Sequence, residues 1–147
     1  MNSDSAIIKS FDDLTKFELY AILALRMKVF CVEQDCPYQD LDGKDQEAVH
    51  IFIQDNKTIV AYARIIHGIK NEYHIGRVVV DEKFRKFGLA TIIMQKCIKH
   101  IKTNNSAKII ISAQSYLKDF YKKFGFKNTG QYYLEDNIPH EQMQLTS

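Results

Sequence analysis

The chain has 147 residues, of which 46% are hydrophobic and 26% are charged, and its formal net charge is +2. This length and composition predict one globular domain with a buried core and exclude an intrinsically disordered chain. The small net charge, without any basic block, gives no support to binding of nucleic acid or a membrane surface. The chain lacks the roughly 20-residue apolar stretch that crosses a bilayer and begins without secretory-signal features, so we expect a cytoplasmic protein.

Three cysteines, Cys31, Cys36 and Cys97, form an odd set without a CxxC pair, which argues against a disulfide framework. Cys97 falls in a helical apolar pattern, which predicts a buried structural thiol. Cys31 and Cys36 follow a helix, and their positions leave a structural and a reactive role open. The five histidines are dispersed without ligand-like spacing, so we predict no metal site.

The first half of the chain predicts a strand, a helix and a meander of three strands. Residues 6–10 form a short candidate strand. An apolar period of three and four predicts an amphipathic helix over 14–30, with the stripe Leu14, Phe17, Tyr20, Leu23, Ala24 and Met27. After an acidic loop, two β-rich runs joined by Asp-Asn-Lys within residues 50–68 predict an antiparallel hairpin. YHIGRVVV at 73–80 predicts the next strand.

The second half predicts a crossover unit followed by two strands. A helix beginning near Gly88 carries an i, i+4 apolar row, and AKIIISA at 107–113 predicts a strand buried on both faces. A short helix over 116–124 ends at Gly125, and strands over 126–134 and 141–146 flank the polar turn EDNIPH. The order β–α–β–β–β–α–β–α–β–β predicts a single α/β (α+β) domain over residues 1–147, a mixed sheet with helices on both faces.

The segment RKFGLATIIMQ at 85–95 combines two cations, a glycine and the start of a helix. The first N–H groups of a helix lack intrahelical partners and lie at the positive end of its dipole. Gly88 has no Cβ to keep a phosphate from the backbone, and Arg85 and Lys86 supply cations. The segment matches neither a Walker loop nor a dinucleotide fingerprint. On these residues alone, an anion site and an ordinary solvated helix entry both remain open.

Two motifs give the chain a family resemblance. RKFGLA, with Arg85, Gly88 and Ala90, resembles the Arg/Gln-x-x-Gly-x-Gly/Ala motif of the GNAT superfamily of acyl-CoA-dependent N-acetyltransferases, where it also follows a strand. FYKKFGF at 120–126 resembles that family's aromatic-Tyr-x-x-x-Gly-Phe segment. The element order matches over essentially the whole chain, and residues 19–45, HIGRVVV, AQSYLKDFY and EDNIPH resemble the ElaA-type subgroup.

The resemblance implies acetyl-CoA as co-substrate, without a metal. The pantetheine arm would pair with the backbone of Val78, Val79 and Val80, and one of their N–H groups would polarise the thioester carbonyl. The pyrophosphate would bind mainly to the backbone amides of Arg85, Lys86, Phe87, Gly88, Leu89, Ala90 and Thr91. Gln114 stands where many members carry an asparagine that helps to bind the cofactor, so this contact is not assured.

The resemblance also implies the proton chemistry. Tyr121 would be the general acid, because a phenol can protonate a thiolate of comparable basicity; the alternative is a core aromatic beside Phe120 and Phe124. Glu33, after the first helix, is the first candidate for the general base. His140 and Glu135 are alternatives, histidine being suited by its titration near neutral pH, and so is a chain of water molecules.

Two further groups bear on the acceptor. The loop aspartates Asp40, Asp42 and Asp45 have some likeness to a calcium loop, but Gly43 is misplaced for an EF-hand. We interpret them as a solvated acidic rim that would attract a cationic amine. Either Tyr132 or Tyr133 could wall the acceptor site, and strand alternation would place one of the two towards the core.

We therefore expect transfer of an acetyl group from acetyl-CoA to a primary amine by direct attack in a ternary complex. The acceptor would be a small molecule or a peptide, with no nucleic-acid or membrane partner. The alternatives are a non-catalytic acyl-CoA-binding or sensing module on the same fold, and an unrelated α/β protein in which residues 85–90 bind nothing. A homodimer is compatible with the resemblance. The sequence identifies neither the acceptor amine nor the preferred acyl group.

Overall fold

The structure is a computed structural model that describes residues 5–103 and 107–146. The strands are β1 (Ile7–Ser10), β2 (Val49–Asp55), β3 (Thr58–His67), β4 (Glu72–Val80), β5 (Lys108–Gln114), β6 (Lys127–Glu135) and β7 (Ile138–Thr146). The helices are α1 (Lys16–Arg26), α2 (Leu89–Lys102) and α3 (Lys118–Lys122), and a π-helical segment, Met27–Glu33, continues α1. The predicted order of strands and helices is confirmed.

The strands form one mixed sheet in the order β1-β2-β3-β4-β5-β7-β6. Every neighbouring pair is antiparallel except β4 and β5, which run parallel and are joined through α2. The sheet separates two hydrophobic clusters. The larger one includes Ile93, Met94 and Cys97 of α2, and the smaller one includes Ile22 and Leu25 of α1. The mixed sheet with helices on both faces is therefore confirmed, as is the buried thiol of Cys97, whose pKa is raised by burial.

The helix α1 forms at the predicted place but packs with a different face. It begins with a capping box, in which the Thr15 hydroxyl accepts from the Glu18 N–H and the Glu18 carboxylate accepts from the Thr15 N–H. Phe17 and Tyr20 of the predicted apolar stripe are 77% and 79% exposed. The residues that α1 and the following turn bury are Ile22, Leu25, Arg26 and Val29. The predicted stripe is therefore not the face of α1 that packs. The face that does pack combines apolar residues with the buried Arg26.

Arg26 is completely buried, and the acidic loop after α1 supplies its partners. Its Nε donates to Asp40 Oδ2 at 2.8 Å, and its Nη1 donates to Asp45 Oδ1 at 2.8 Å. Its Nη2 donates to the Asp40 carbonyl at 3.1 Å. Burying an arginine without such partners would be strongly unfavourable, so the loop is required for α1 to pack in this orientation.

Two further arginines complete a network that joins α1, the loop, β3 and β4. Arg64 of β3 donates to Asp45 Oδ1 at 2.9 Å and to both carboxylate oxygens of Asp42. Arg77 of β4 places Nε 2.9 Å from Asp40 Oδ1. We call these residues the Arg–Asp network: Arg26, Arg64, Arg77, Asp40, Asp42 and Asp45.

The interpretation of the loop as a solvated acidic rim is wrong. Asp40 is 2% exposed and Asp45 is 7% exposed, and both face arginines rather than solvent. Burial by itself would raise the pKa of Asp45, but hydrogen bonds from Arg26 and Arg64 outweigh it and hold that pKa below its usual range. The pKa of Asp42 is likewise lowered, chiefly by its hydrogen bond from Arg64.

Removing one member of this network should destabilise the fold. We expect Asp45→Ala to lower the free energy of unfolding by about 3 kcal/mol, because it leaves Arg26 and Arg64 short of a shared buried partner. Urea denaturation measures the change. Glu47→Ala, an exposed position on the same loop, is the matched control and should have little effect. Equal losses in the two variants would contradict this account.

Candidate active site

A cleft of about 530 Å³ opens where β4 and β5 separate. Their parallel pairing comprises only Glu72–Lys108, Tyr73–Ile109 and His74–Ile110 within the described residues. Beyond that point the two strands diverge, and the cleft lies between the second half of β4, β5, the π-helical segment and the turn after β6. The divergence leaves one side of β4 without a neighbouring strand.

A β-bulge in β4 determines which backbone groups face the cleft. Gly76 pairs with Arg64, but Val79 pairs with Tyr62, so Arg77 and Val78 together oppose the single residue Ala63. The N–H of Asp81 points towards β3, because it donates to the Val60 carbonyl at 2.8 Å. Backbone groups alternate sides along a strand, so those of Val80 and Val78 point towards the opening.

The helix-entry loop, residues 85–88 before α2, has an unusual backbone. Lys86 has φ of +73° and Gly88, the N-cap of α2, has φ of +74°. A Cβ on Gly88 would meet open space, so its left-handed conformation, and not crowding within the protein, favours glycine here. Phe87 is exposed, Leu89 is buried, and Ala90 lines the cleft. The free N–H groups of the first turn of α2 therefore lie beside open space at the end of the cleft.

Arg85 and Glu33 contact each other. The resemblance assigns Arg85 to binding of the pyrophosphate and Glu33 to the role of general base. Arg85 Nη1 and Nη2 donate to the two carboxylate oxygens of Glu33 at 2.6 and 2.9 Å. The Arg85 guanidinium also donates twice to the Val80 carbonyl, at 3.1 and 3.0 Å. The hydrogen bond to Glu33 raises the pKa of Arg85. In this structure the Glu33 carboxylate is engaged, and the Arg85 side chain connects β4 to the π-helical segment.

Tyr121 lies at the wall of the cleft, in α3. Its ring packs edge-on against Phe120 and Phe126, and no hydrogen bond to its hydroxyl is found in the part of the chain that the structure describes. Burial, with a smaller effect of nearby Tyr116, raises the pKa of Tyr121 to about 12. The hydroxyl thus stays protonated at neutral pH and is available to a group in the cleft. Gln114, at the end of β5, lines the same cleft.

A second polar group also lines the cleft, around His140. Its Nδ1 is 2.7 Å from the Ile138 carbonyl, and because a carbonyl only accepts, Nδ1 carries the proton. In the neutral ring Nε2 then has a free lone pair, 3.5 Å from Glu135 Oε2. Glu135 also accepts from the Ser112 hydroxyl at 3.0 Å. The arrangement can accept a proton at Nε2 and stabilise the resulting imidazolium with the carboxylate.

The turn that carries these residues is tighter than EDNIPH suggests. Asp136 and Asn137 alone form it, with φ of +49° and +65°, and Pro139 and His140 belong to β7. Tyr133 stacks on His140 and donates to Ser112 Oγ at 2.7 Å, whereas Tyr132 is exposed. The prediction that one tyrosine faces the core is therefore wrong, since β6 is an edge strand with little protein packed on it.

Sequence reasoning missed Ser112 and Arg77 as residues of the cleft. Both leave a signal in the sequence, because Ser112 interrupts the apolar run of β5 and Arg77 directly precedes the three valines of β4. Cys36 also lines the cleft, and its thiol pKa is raised. Within residues 5–103 and 107–146, no cluster of three or more His, Cys, Asp or Glu side chains could hold a metal ion. The helices of these ranges are too short or too polar to cross a membrane.

Comparison with known proteins shows the family to which the chain belongs. The sequence profile of the acetyltransferase (GNAT) domain matches residues 18–147. The chain belongs to the GNAT acetyltransferase family. It is 40% identical to Protein ElaA of Escherichia coli over 133 residues, which is 87% of each chain. It is 38% identical to a UPF0039 protein of Schizosaccharomyces pombe over 148 residues, 99% of each chain.

Solved structures of GNAT relatives have the same fold. The crystal structure of E. coli ElaA superposes with a TM-score of 0.89 at 37% identity and covers 95% of this chain and 97% of that one. An acyl-CoA N-acyltransferase from Pseudomonas aeruginosa gives a TM-score of 0.89 at 35% identity, with the same coverage. An aminoglycoside 6'-N-acetyltransferase complexed with coenzyme A, at 17% identity and a TM-score of 0.72, shares the fold alone. It covers 95% of this chain and 96% of its own.

Membership of the GNAT family supports acyltransfer as the class of reaction, on a fold that binds coenzyme A in that aminoglycoside acetyltransferase. The ElaA-type resemblance in the first third of the sequence agrees with the similarity to E. coli ElaA. The relatives' names give no acceptor for this chain.

Proposed function

We propose that the protein transfers an acetyl group from acetyl-CoA to a primary amine. The observation that carries the proposal is the convergence of three features on one cleft. These are the unpartnered backbone of β4, the first turn of α2 with its free amides, and the protonated hydroxyl of Tyr121. The backbone of β4 would hydrogen-bond the thioester carbonyl, and the amides of α2 would bind the pyrophosphate. The Tyr121 hydroxyl would protonate the departing thiolate.

The donor would lie along β4. Its pantetheine arm would take the place of the missing neighbouring strand beside Val78, Val79 and Val80. The pyrophosphate would lie at the N-terminus of α2, where free amides and the helix dipole favour negative charge. The Lys86 side chain would assist, whereas Arg85 would have to leave Glu33 to contribute its charge.

The proton chemistry would be divided between His140 and Tyr121, which both line the cleft. The incoming ammonium loses a proton to His140 Nε2, and the neutral amine attacks the carbonyl. The tetrahedral intermediate then collapses as Tyr121 donates its proton to the sulfur, which releases the thiol, and the Tyr121 phenolate regains a proton from the nitrogen of the new amide, directly or through water. Among the base candidates the geometry favours His140, because Glu33 is held by Arg85 and Glu135 is placed to stabilise the imidazolium.

Direct attack requires no covalent enzyme intermediate. Cys97 is fully buried within the core, and the pKa of the cleft thiol Cys36 is raised, so neither is suited to act as a thiolate nucleophile. Proximity and carbonyl polarisation would supply most of the acceleration. The direct test is calorimetry with coenzyme A and acetyl-CoA, followed by thiol release across a panel of amines. Binding without release on any amine would instead favour an acyl-CoA-binding module.

Gly88→Val should weaken coenzyme A binding about tenfold, equivalent to about 1.4 kcal/mol, because its side chain occupies the open space beside the first amides of α2. Lys86→Ala should cost less than about threefold, as expected for one exposed charge. Calorimetry with coenzyme A measures both. Gly130→Val is the matched control, since Gly130 has φ of +91° and open space but lies on edge strand β6. A larger loss from Lys86→Ala than from Gly88→Val would contradict this placement.

Tyr121→Phe should lower acetyl transfer about 10²- to 10⁴-fold while leaving coenzyme A affinity unchanged, because only the acid hydroxyl is lost. Thiol release with an acceptor from the amine panel measures the rate. Tyr116→Phe removes another tyrosine hydroxyl from the same cleft and should retain most of the activity. Similar losses in both variants would show that Tyr121 is not the specific acid.

His140→Gln should lower acetyl transfer about 10²-fold at neutral pH, because the amine then loses its general base. The defect should shrink as the pH approaches the pKa of the amine itself, since solution then supplies the neutral nucleophile. Rate measurements on one amine at several pH values test this. Glu33→Gln should be less impaired than His140→Gln; the reverse order would return the role of base to Glu33.

A further inference from the structure

Arg77 occupies the bulge of β4 in a conformation that is unfavourable for it. Its φ is +50°, in the left-handed region that side chains other than glycine rarely adopt. The sequence nevertheless has an arginine there, between Gly76 and three valines. Such a conformation persists only where surrounding contacts hold it. A glycine would tolerate this conformation better, so the reason for an arginine at this position lies in its side chain.

The bulge decides which amides of β4 face the cleft. Gly76 pairs with Arg64, and regular pairing would continue with Val78 opposite Tyr62. Instead Val79 lies opposite Tyr62, one residue further along. A shift of one residue exchanges the two sides of a strand, so the bulge directs the groups of Val78 and Val80 towards the cleft in place of those of Arg77 and Val79.

The Arg77 side chain connects this bulge to the most buried part of the Arg–Asp network. Its Nε lies 2.9 Å from Asp40 Oδ1, and its Nη2 donates to the Asp40 carbonyl at 3.0 Å. Arg26, completely buried, holds the other oxygen of Asp40 at 2.8 Å. The Tyr38 hydroxyl donates to Asp40 Oδ1 at 2.6 Å, and the Tyr38 ring lies under the Arg77 guanidinium, 5.5 Å from centroid to Cζ.

These contacts engage the charge of Arg77 before any substrate arrives. Asp40 is paired with it directly, and Asp42 Oδ2 lies 3.4 Å from Nη2. The contacts therefore point to a mechanical role for the arginine and not to binding of an anion. We propose that Arg77, anchored by Asp40 and Tyr38, is a positioning residue that holds the β4 bulge, so that an amide of Val78 or Val80 hydrogen-bonds the thioester carbonyl. This inference rests on the proposed function.

The test uses acetyl-CoA labelled with ¹³C at the thioester carbonyl and needs no acceptor. Bound to the wild-type protein, the labelled carbonyl should absorb at lower infrared frequency than in free acetyl-CoA, because an amide hydrogen bond weakens the C=O bond. Arg77→Gly should abolish at least about half of this shift, since glycine tolerates the conformation but lacks the anchor. Affinity for unacetylated coenzyme A should fall by less than about tenfold, because the pantetheine arm also pairs with β4 but the phosphate contacts lie elsewhere.

Two further variants distinguish positioning from general loss of stability. Asp42→Asn weakens the pairing with Arg64 and the 3.4 Å contact with Arg77 but leaves both contacts of Arg77 with Asp40, so the carbonyl band should remain at the wild-type position even though the protein is less stable. Arg77→Lys keeps the charge and loses the two-point contact, and it should give a smaller change than Arg77→Gly. If Arg77→Gly fails to fold, the lysine variant provides the readout, and a wild-type band in it overturns the proposal.

The outcomes separate this inference from the proposed function. Absence of coenzyme A binding to the wild-type protein would refute the proposed function itself. Binding with an unshifted carbonyl band, or a folded Arg77→Gly variant with the wild-type band, would overturn the positioning role alone. Where an acceptor is available, Arg77→Gly should lower kcat about 10²-fold, as for loss of one oxyanion donor, with a much smaller change in KM for acetyl-CoA.

Discussion

The burial of Arg26 is the constraint on which the rest of the structure depends. An arginine that is completely removed from water must be paired, and the loop after α1 supplies two carboxylates and a carbonyl for it. Those carboxylates in turn pair with Arg64 of β3 and Arg77 of β4. The network contains three arginines and three aspartates, so it is neutral as a whole. A polar network of this kind specifies one arrangement of the elements that it joins.

The position of the cleft depends on the elements that the Arg–Asp network holds together. It holds α1 and its loop against β4 at the level of the bulge, just beyond the last residues that pair with β5. The sheet can therefore open on one side of β4 while remaining anchored on the other. Beyond the opening, Arg85 bridges Val80 to Glu33 and brings the π-helical segment against the end of the strand. The π-helical segment and the end of β4 are thus linked by the Arg85–Glu33 ion pair and by a second pair, Lys28–Asp81.

Local patterns predicted the elements well, because each depends on nearby residues. The spacing of apolar residues and the turn residues predicted three features correctly. These are the hairpin of β2 and β3, the helix α2 with Cys97 in its buried row, and the helix entry at Gly88. The packing face of α1 was not, because Arg26 finds its partners 14 and 19 residues away. The apolar stripe through Phe17 and Tyr20 satisfied the helical period as well as the true face did, and only the distant carboxylates decide between them.

By itself, the sequence determined the fold class and the family, and it marked the stretch of chain where we propose that a phosphate-bearing donor binds, since all three are encoded in contiguous motifs. The tertiary structure decided how the charged residues are used. It showed that the loop aspartates neutralise arginines and that Glu33 is held by Arg85 across 52 residues of sequence. It also brought His140 together with Glu135 and Ser112 in the lining of the cleft that contains Tyr121. Charge pairing acts through space between residues that are remote in the chain, so no local pattern records it.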